Sequence, residues 1–72
     1  MNRYLPFREE LHSDDIGTYV SYGIQVFVSH GNMIESISDV SVDKDFVTEL
    51  CALWTQHQLS PIHIREVLDD IL

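Results

Sequence analysis

Apolar and polar residues alternate most clearly over residues 18–29. Val20, Tyr22, Ile24, Val26 and Val28 interleave there with Tyr19, Ser21, Gly23, Gln25, Phe27 and Ser29. A period of two marks a β-strand, and the first set is predicted to face the core. Tyr19 and Phe27 then fall on the opposite, solvent-side face. The β-branched and aromatic content agrees with a strand. Gly23 in its middle predicts a bulge, or a neighbour lying close over that face.

Two further strands flank this one. Residues 4–11 place Leu5, Phe7 and Leu11 on one parity, with Glu9 interrupting. Pro6 has no N–H to give to a ladder, which puts this strand at a sheet edge or delays its start. Ser13-Asp14-Asp15-Ile16-Gly17 is a turn by composition and predicts a hairpin loop of about five residues. His30-Gly31-Asn32 is the next turn, with Gly31 suited to positive φ. Residues 33–38 form the third strand, in which Met33, Glu35 and Ile37 oppose Ile34, Ser36 and Ser38, with either set able to be the buried one. Residues 39–42 are read as a connector.

The spacing then becomes helical. A helix is predicted over residues 44–57, capped by Ser41 or Asp43. Phe46, Val47, Leu50, Leu53, Trp54 and His57 form its apolar stripe, and Cys51 sits beside it. A second helix starts after Ser60: Pro61 suits the first helical position, and Leu59 with Ile64 suits a hydrophobic staple. Its stripe is Ile64, Val67, Leu68 and Ile71, while Arg65, Glu66, Asp69 and Asp70 face water. Arg65 and Asp69 have the spacing of a helical ion pair. The order β-β-β-α-α predicts an α+β fold, a three-stranded antiparallel β-meander followed by two C-terminal α-helices packed on one face. No repeat or linker divides the 72 residues, so they are read as one small domain.

Composition agrees with that reading. A chain of this mass buries roughly 60% of its surface and keeps about 4,600 Å² accessible. With 44% hydrophobic and 22% charged residues, it is globular rather than disordered in character. Twelve Asp and Glu against four Lys and Arg give a formal charge of −8. The bases Arg3, Arg8, Lys44 and Arg65 are scattered, so no basic stripe is available for phosphates, and neither nucleic acid nor an anionic membrane is an expected partner. The N-terminal segment lacks the apolar run of a signal peptide, and no apolar stretch approaches the ~20 residues of a bilayer span. Cys51 is the single cysteine, which excludes an intrachain disulfide. The expected location is the cytoplasm.

Candidate chemistry is sparse. His12, His30, His57, His63 and Cys51 are the possible metal ligands, yet no Cys-x-x-Cys or His-Glu-x-x-His spacing joins them. Cys51 and His57 do not share a helix face, which argues against a thiolate pair and for an inert buried thiol. Glu9-Glu10, Asp14-Asp15 and Asp69-Asp70 are adjacent pairs, whose side chains diverge rather than converge as acid and base. Glycine-rich phosphate loops are absent. Tyr19, Tyr22 and Phe27 lack the basic neighbours that base-stacking surfaces need. The reading is of a non-enzyme with no catalytic residue, no metal, no cofactor and no small-molecule substrate.

The run Thr18-Tyr19-Val20-Ser21-Tyr22-Gly23-Ile24, followed by Ile37-Ser38-Asp39-Val40-Ser41 and the helical tail, resembles a small uncharacterised bacterial domain family of clostridia-like Firmicutes. The resemblance runs from residue 8 to 72 and rests on a Tyr-x-x-Tyr-Gly-Ile strand motif. It implies a cytosolic bacterial domain of unknown function and assigns no site residue.

With both helices on one face, the other sheet face is uncovered, and Tyr19 and Phe27 are its candidate interaction residues. The leading expectation is a protein–protein interaction or accessory module, with a homodimer as one form. One alternative is an acidic mimic or antagonist that occupies the basic groove of a nucleic-acid-binding protein. Another is a small ligand-binding domain or enzyme with its site at a dimer interface, where His30 and His57 are the first residues to inspect.

Overall fold

In the computed structural model, which describes residues 2–28 and 31–71, the alternating stretches become three strands. They are β1 (Arg3–Ser13), β2 (Gly17–Phe27) and β3 (Met33–Ser41), an antiparallel sheet with β2 in the middle. Two helices follow, α1 (Lys44–Gln56) and α2 (Ile64–Ile71), the second entered through a 3-10 turn, Pro61–His63. The architecture is the α+β meander with two C-terminal helices that the spacing predicts.

β1 pairs with β2 without a break from Arg3↔Phe27 to Ser13↔Gly17. The loop between them is residues 14–16, shorter than expected. The Ser13 hydroxyl accepts the Asp15 N–H at 3.3 Å, and Gly17 closes the turn at φ 78, where a side chain would be strained. β2 and β3 pair less evenly, with register shifts at Tyr22/Ile24 and Val26/Phe27. Tyr22 pairs with Ser41 but Ile24 with Ile37, so β3 carries extra residues there, and Asp39 in that bulge has φ 55. Residues 39–41, read from the sequence as connector, are therefore still strand. Glu35 and Ile37 pair with Val26 and Ile24, which assigns them to the helix-covered face. The Ser29 and His30 part of the second turn lies outside the described residues, while Gly31 has the expected positive φ, 79.

The core joins Tyr4, Ile24, Val26 and Val40 of the sheet to Val47, Cys51 and Trp54 of α1 and to Ile64 and Leu68 of α2. The Tyr4 ring meets Trp54 edge-on, with centroids 5.5 Å apart, and its hydroxyl donates to the Leu59 carbonyl. Val20 and Val28 of the predicted core set are not part of it. β3 stops pairing at Tyr22↔Ser41, and beyond it β1 and β2 continue as a two-stranded ribbon on which Val20 is half-buried and outside the core cluster. The accessible surface of 4896 Å², slightly above the ~4,600 Å² of a compact chain of this mass, fits a ribbon that projects.

Asp43 is the α1 cap: its carboxylate accepts the Phe46 N–H at 3.2 Å. The buried line of α1 is Val47, Cys51 and Trp54, not the wider predicted stripe, and Leu53 is half exposed. The helix is turned this way because its far end is tied to β1. The Thr55 hydroxyl accepts the Tyr4 N–H at 2.9 Å, and the Gln58 carboxamide accepts the Asn2 N–H at 3.0 Å and donates to the Asn2 carbonyl at 3.2 Å. These side chains satisfy the outer edge of β1 as a neighbouring strand would, and Pro6, next in the outward series, has no N–H to satisfy. α1 ends in a Schellman closure, with the Leu59 N–H on the Trp54 carbonyl at 3.0 Å and Gln58, rather than a glycine, at φ 51.

Ser60 has the extended backbone of a cap residue, but its side chain makes no cap hydrogen bond, contrary to its expected role. Arg65 reaches Glu35 of β3 at 2.8 Å instead of pairing with Asp69. Ile71 is 45% exposed, so the buried stripe of α2 reduces to Ile64 and Leu68 with Val67 beside them. Among the described residues no helix is long and apolar enough to cross a membrane.

Candidate functional site

The β1–β2 register puts the odd-numbered residues of both strands on the face that the helices leave uncovered. In cross-strand rows it carries Arg3 with Phe27 and Met33, Leu5 with Gln25 and Ser36, Phe7 with Gly23, Glu9 with Ser21, and Leu11 with Tyr19. Tyr19 and Phe27 are thus on the expected face but at opposite ends of it. Eight residues along a strand separate them by about 27 Å, so they do not form a patch together.

Phe7 occupies the centre instead. Its ring lies over Gly23 so closely that a Cβ there would stand 2.6 Å from the ring carbons and 2.3 Å from the Ile37 carbonyl oxygen. The missing side chain lets both the ring and the β3 backbone close onto β2; the sequence predicts a bulge or a close neighbour at Gly23, and both are present. Leu5 and Met33 extend the apolar area toward Phe27, 38% and 52% exposed.

The other end of the face is polar and closed on itself. Glu9 accepts from the Ser38 hydroxyl at 2.7 Å and from the Asp39 N–H at 2.8 Å. The Asp39 carboxylate accepts from the buried Ser21 hydroxyl at 2.6 Å and from the Tyr19 hydroxyl at 3.0 Å. Donating to Asp39 raises the Tyr19 pKa above its ordinary value, with burial and the charges of Asp39 and Glu9 adding to it. The network ties β1 to β3 across β2 and holds the left-handed Asp39 in place. Its two carboxylates come from different strands, which is why the adjacent acidic pairs of the sequence did not reveal them. Within one such pair, Glu9 faces this network while Glu10 meets Arg8 at 3.4 Å.

The remaining candidate groups stand apart. Cys51 is buried, and burial pushes its thiol up to about 11, so it is protonated at neutral pH. His57 caps the end of α1 in an exposed position, His63 lies 3.5 Å from Glu66 on the surface, and His12 is exposed on the ribbon. His30 lies outside the described residues. Among the described residues no group of three or more His, Cys, Asp or Glu could hold a metal ion. A cleft of about 270 Å³ opens between β3 and α2 beside Asp39, Arg65 and Asp69, and one of about 170 Å³ between β1 and α1. Both fall below the ~300 Å³ at which drug-sized sites begin.

A protein-family model, described as a family of unknown function (DUF6514), matches residues 3–72. No curated protein and no solved structure matches the chain.

Proposed function

The chain belongs to DUF6514, a family of unknown function, and on that premise we propose that it is a non-catalytic interaction module that pairs with a second copy through its uncovered sheet face. The observation that carries this reading is the face itself, where Leu5 and Met33 stand exposed beside Phe7 and Phe27 with no second layer over them among the described residues. Such a surface gains roughly 25 cal/mol for each Å² of apolar area that a partner removes from water.

Charge placement favours a second copy as that partner. Arg3 stands at one end of the face, and Glu9 and Asp39 stand toward the other. A two-fold axis running across the strands between Leu5 and Phe7 lays Arg3 of one copy over Glu9 of the other, and does so twice. Face-to-face sheets lie about 10 Å apart. A non-catalytic role suits a protonated, buried thiol and the separate, exposed positions of His12, His57 and His63. A reducing, cytoplasmic setting suits a chain whose one cysteine is free and buried.

Sedimentation equilibrium of the wild type and of Leu5→Asp tests this. The wild type is expected to dimerise in the micromolar range, and Leu5→Asp, which places a charge on the apolar face, to sediment as a monomer. A wild type that stays monomeric up to about 500 µM, a free energy of only ~4–5 kcal/mol, overturns the proposal. So does a Leu5→Asp variant that associates as the wild type does.

A further inference from the structure

The chain holds only four Lys and Arg at a formal charge of −8. The fold brings two of them, Arg8 of β1 and Lys44 of α1, to one small cleft on the helix side of the sheet, lined also by Pro6, Phe7, Tyr22 and Thr48. Arg65 is spent on Glu35 at 2.8 Å. Lys44 makes no ion pair among the described residues. Among the described residues Arg8 pairs with Glu10 alone, at 3.4 Å, with both side chains more than half exposed, a pair weak enough for a competing anion to displace. The cleft is thus lined by two basic residues, one with a loose counter-charge and one with no ion pair among the described residues.

We propose that this cleft binds a small organic carboxylate, with the carboxylate between Arg8 and Lys44 and a flat or short apolar body against Pro6 and Tyr22. The Arg8 guanidinium already donates to a carboxylate, that of Glu10, at 3.4 Å, the same kind of acceptor as the proposed ligand. The volume of about 170 Å³ admits one ring or a short chain and nothing larger. Arg8, Tyr22, Lys44 and Thr48 lie on the opposite side of the sheet from the face proposed for self-association, with Phe7 bordering both, and the proposal does not depend on that face.

The test is an amide-resolved NMR titration of the whole protein with sodium benzoate at constant ionic strength. Benzamide, sodium acetate and sodium sulfate are titrated in parallel. A ligand of about nine non-hydrogen atoms, at an efficiency between that of drug-sized ligands and that of the best small ones, gives a Kd on the order of 1 mM. The expected result is saturable shifts centred on Arg8, Tyr22, Lys44 and Thr48, with benzamide and acetate both weaker. Lys44→Gln is expected to raise the Kd about fivefold, the upper end for an exposed ion pair, and Glu10→Gln to lower it by removing the competitor. The proposal is overturned by the absence of saturation at about 20 mM benzoate. It is equally overturned if benzamide binds as well as benzoate, if sulfate reproduces the shifts at the same concentration, or if Lys44→Gln leaves the Kd unchanged.

Discussion

Replacing Gly23 with alanine probes the packing on which the uncovered face depends. The added methyl would sit 2.3 Å from the Ile37 carbonyl oxygen and 2.6 Å from two carbons of the Phe7 ring. The ring can swing away, because one side of it faces solvent. The carbonyl belongs to β3 and recedes only if the strand moves by several tenths of an ångström against the bulge that Glu9, Ser21 and Tyr19 pin. Overpacking costs about 1–3 kcal/mol, and a clash with backbone that cannot rotate away takes the middle to upper part of that range, about 2–2.5 kcal/mol. Alanine regains about 0.5–1 kcal/mol through the smaller conformational freedom of the unfolded chain. The net loss is about 1–2 kcal/mol, against a total of roughly 4–11 kcal/mol for a domain of this length. For so small a domain that lowers Tm by roughly 4–16 °C. Urea and thermal unfolding of the wild type, Gly23→Ala, Phe7→Ala and the double variant form a cycle that separates the two clashes. Most of the Gly23→Ala loss is expected to persist in the Phe7→Ala background, because the carbonyl remains. A Gly23→Ala protein within about 0.5 kcal/mol of the wild type refutes the reasoning. A loss that vanishes once Phe7 is truncated refutes the part assigned to the backbone.

Three further predictions concern the helix side. Gln58→Ala and Gln58→Gly both forfeit the carboxamide bonds to Asn2, but only glycine is at ease at φ 51, so the alanine variant is expected to be less stable by about 1 kcal/mol in urea unfolding. Tyr4→Phe removes the hydroxyl bonded to the Leu59 carbonyl and keeps the ring on Trp54, and unfolding should report a loss of about 1 kcal/mol with near-native tryptophan fluorescence. The Cys51 thiol rises from 9.0 to about 11 on folding, so the folded state holds its proton more tightly than the unfolded state. That contribution is complete below pH 9 and is lost as pH climbs through about 11, at up to ~1.4 kcal/mol per pH unit. Tyr4 and Tyr19, also raised, act in the same direction, so the readout is the difference in slope between the wild type and Cys51→Ala.

The long alternation of β2 was legible because a period of two allows only one assignment of faces once Ile24 and Val26 are inside. That placed Tyr19 and Phe27 outside correctly and read Gly23 as a point of close approach. The shared parity of Leu5, Phe7 and Leu11 was visible as well. A turn over residues 13–17 already pairs Leu11 with Tyr19, so the centre of the face at Phe7 was within reach of register arithmetic. Gly23 marks the place of the bulge on β2, but the extra residues on β3 were not legible. No glycine stands among them, and Asp39 is held at positive φ by Glu9 and Ser21, partners distant in sequence. The roll of α1 was hidden for a similar reason: helical periodicity gives the width of an apolar stripe, while Thr55 and Gln58 at the β1 edge decide which line within it is buried. The cleft beside Arg8 and Lys44 joins residues of separate elements, so scattered bases in the sequence gave no sign of it.

A spin-label distance tests the two-fold pairing most directly. Thr18 is exposed on the ribbon, while Cys51 is buried and protonated, so Thr18→Cys takes the label selectively. In the proposed dimer each label sits about 20 Å along the strands from the axis, and with sheets ~10 Å apart the two labels stand roughly 40–45 Å from one another. A dipolar distance peak in that range, lost in the Leu5→Asp background, is the result the pairing predicts. A featureless background, or a peak near the ~20 Å of ribbons meeting tip to tip, contradicts it.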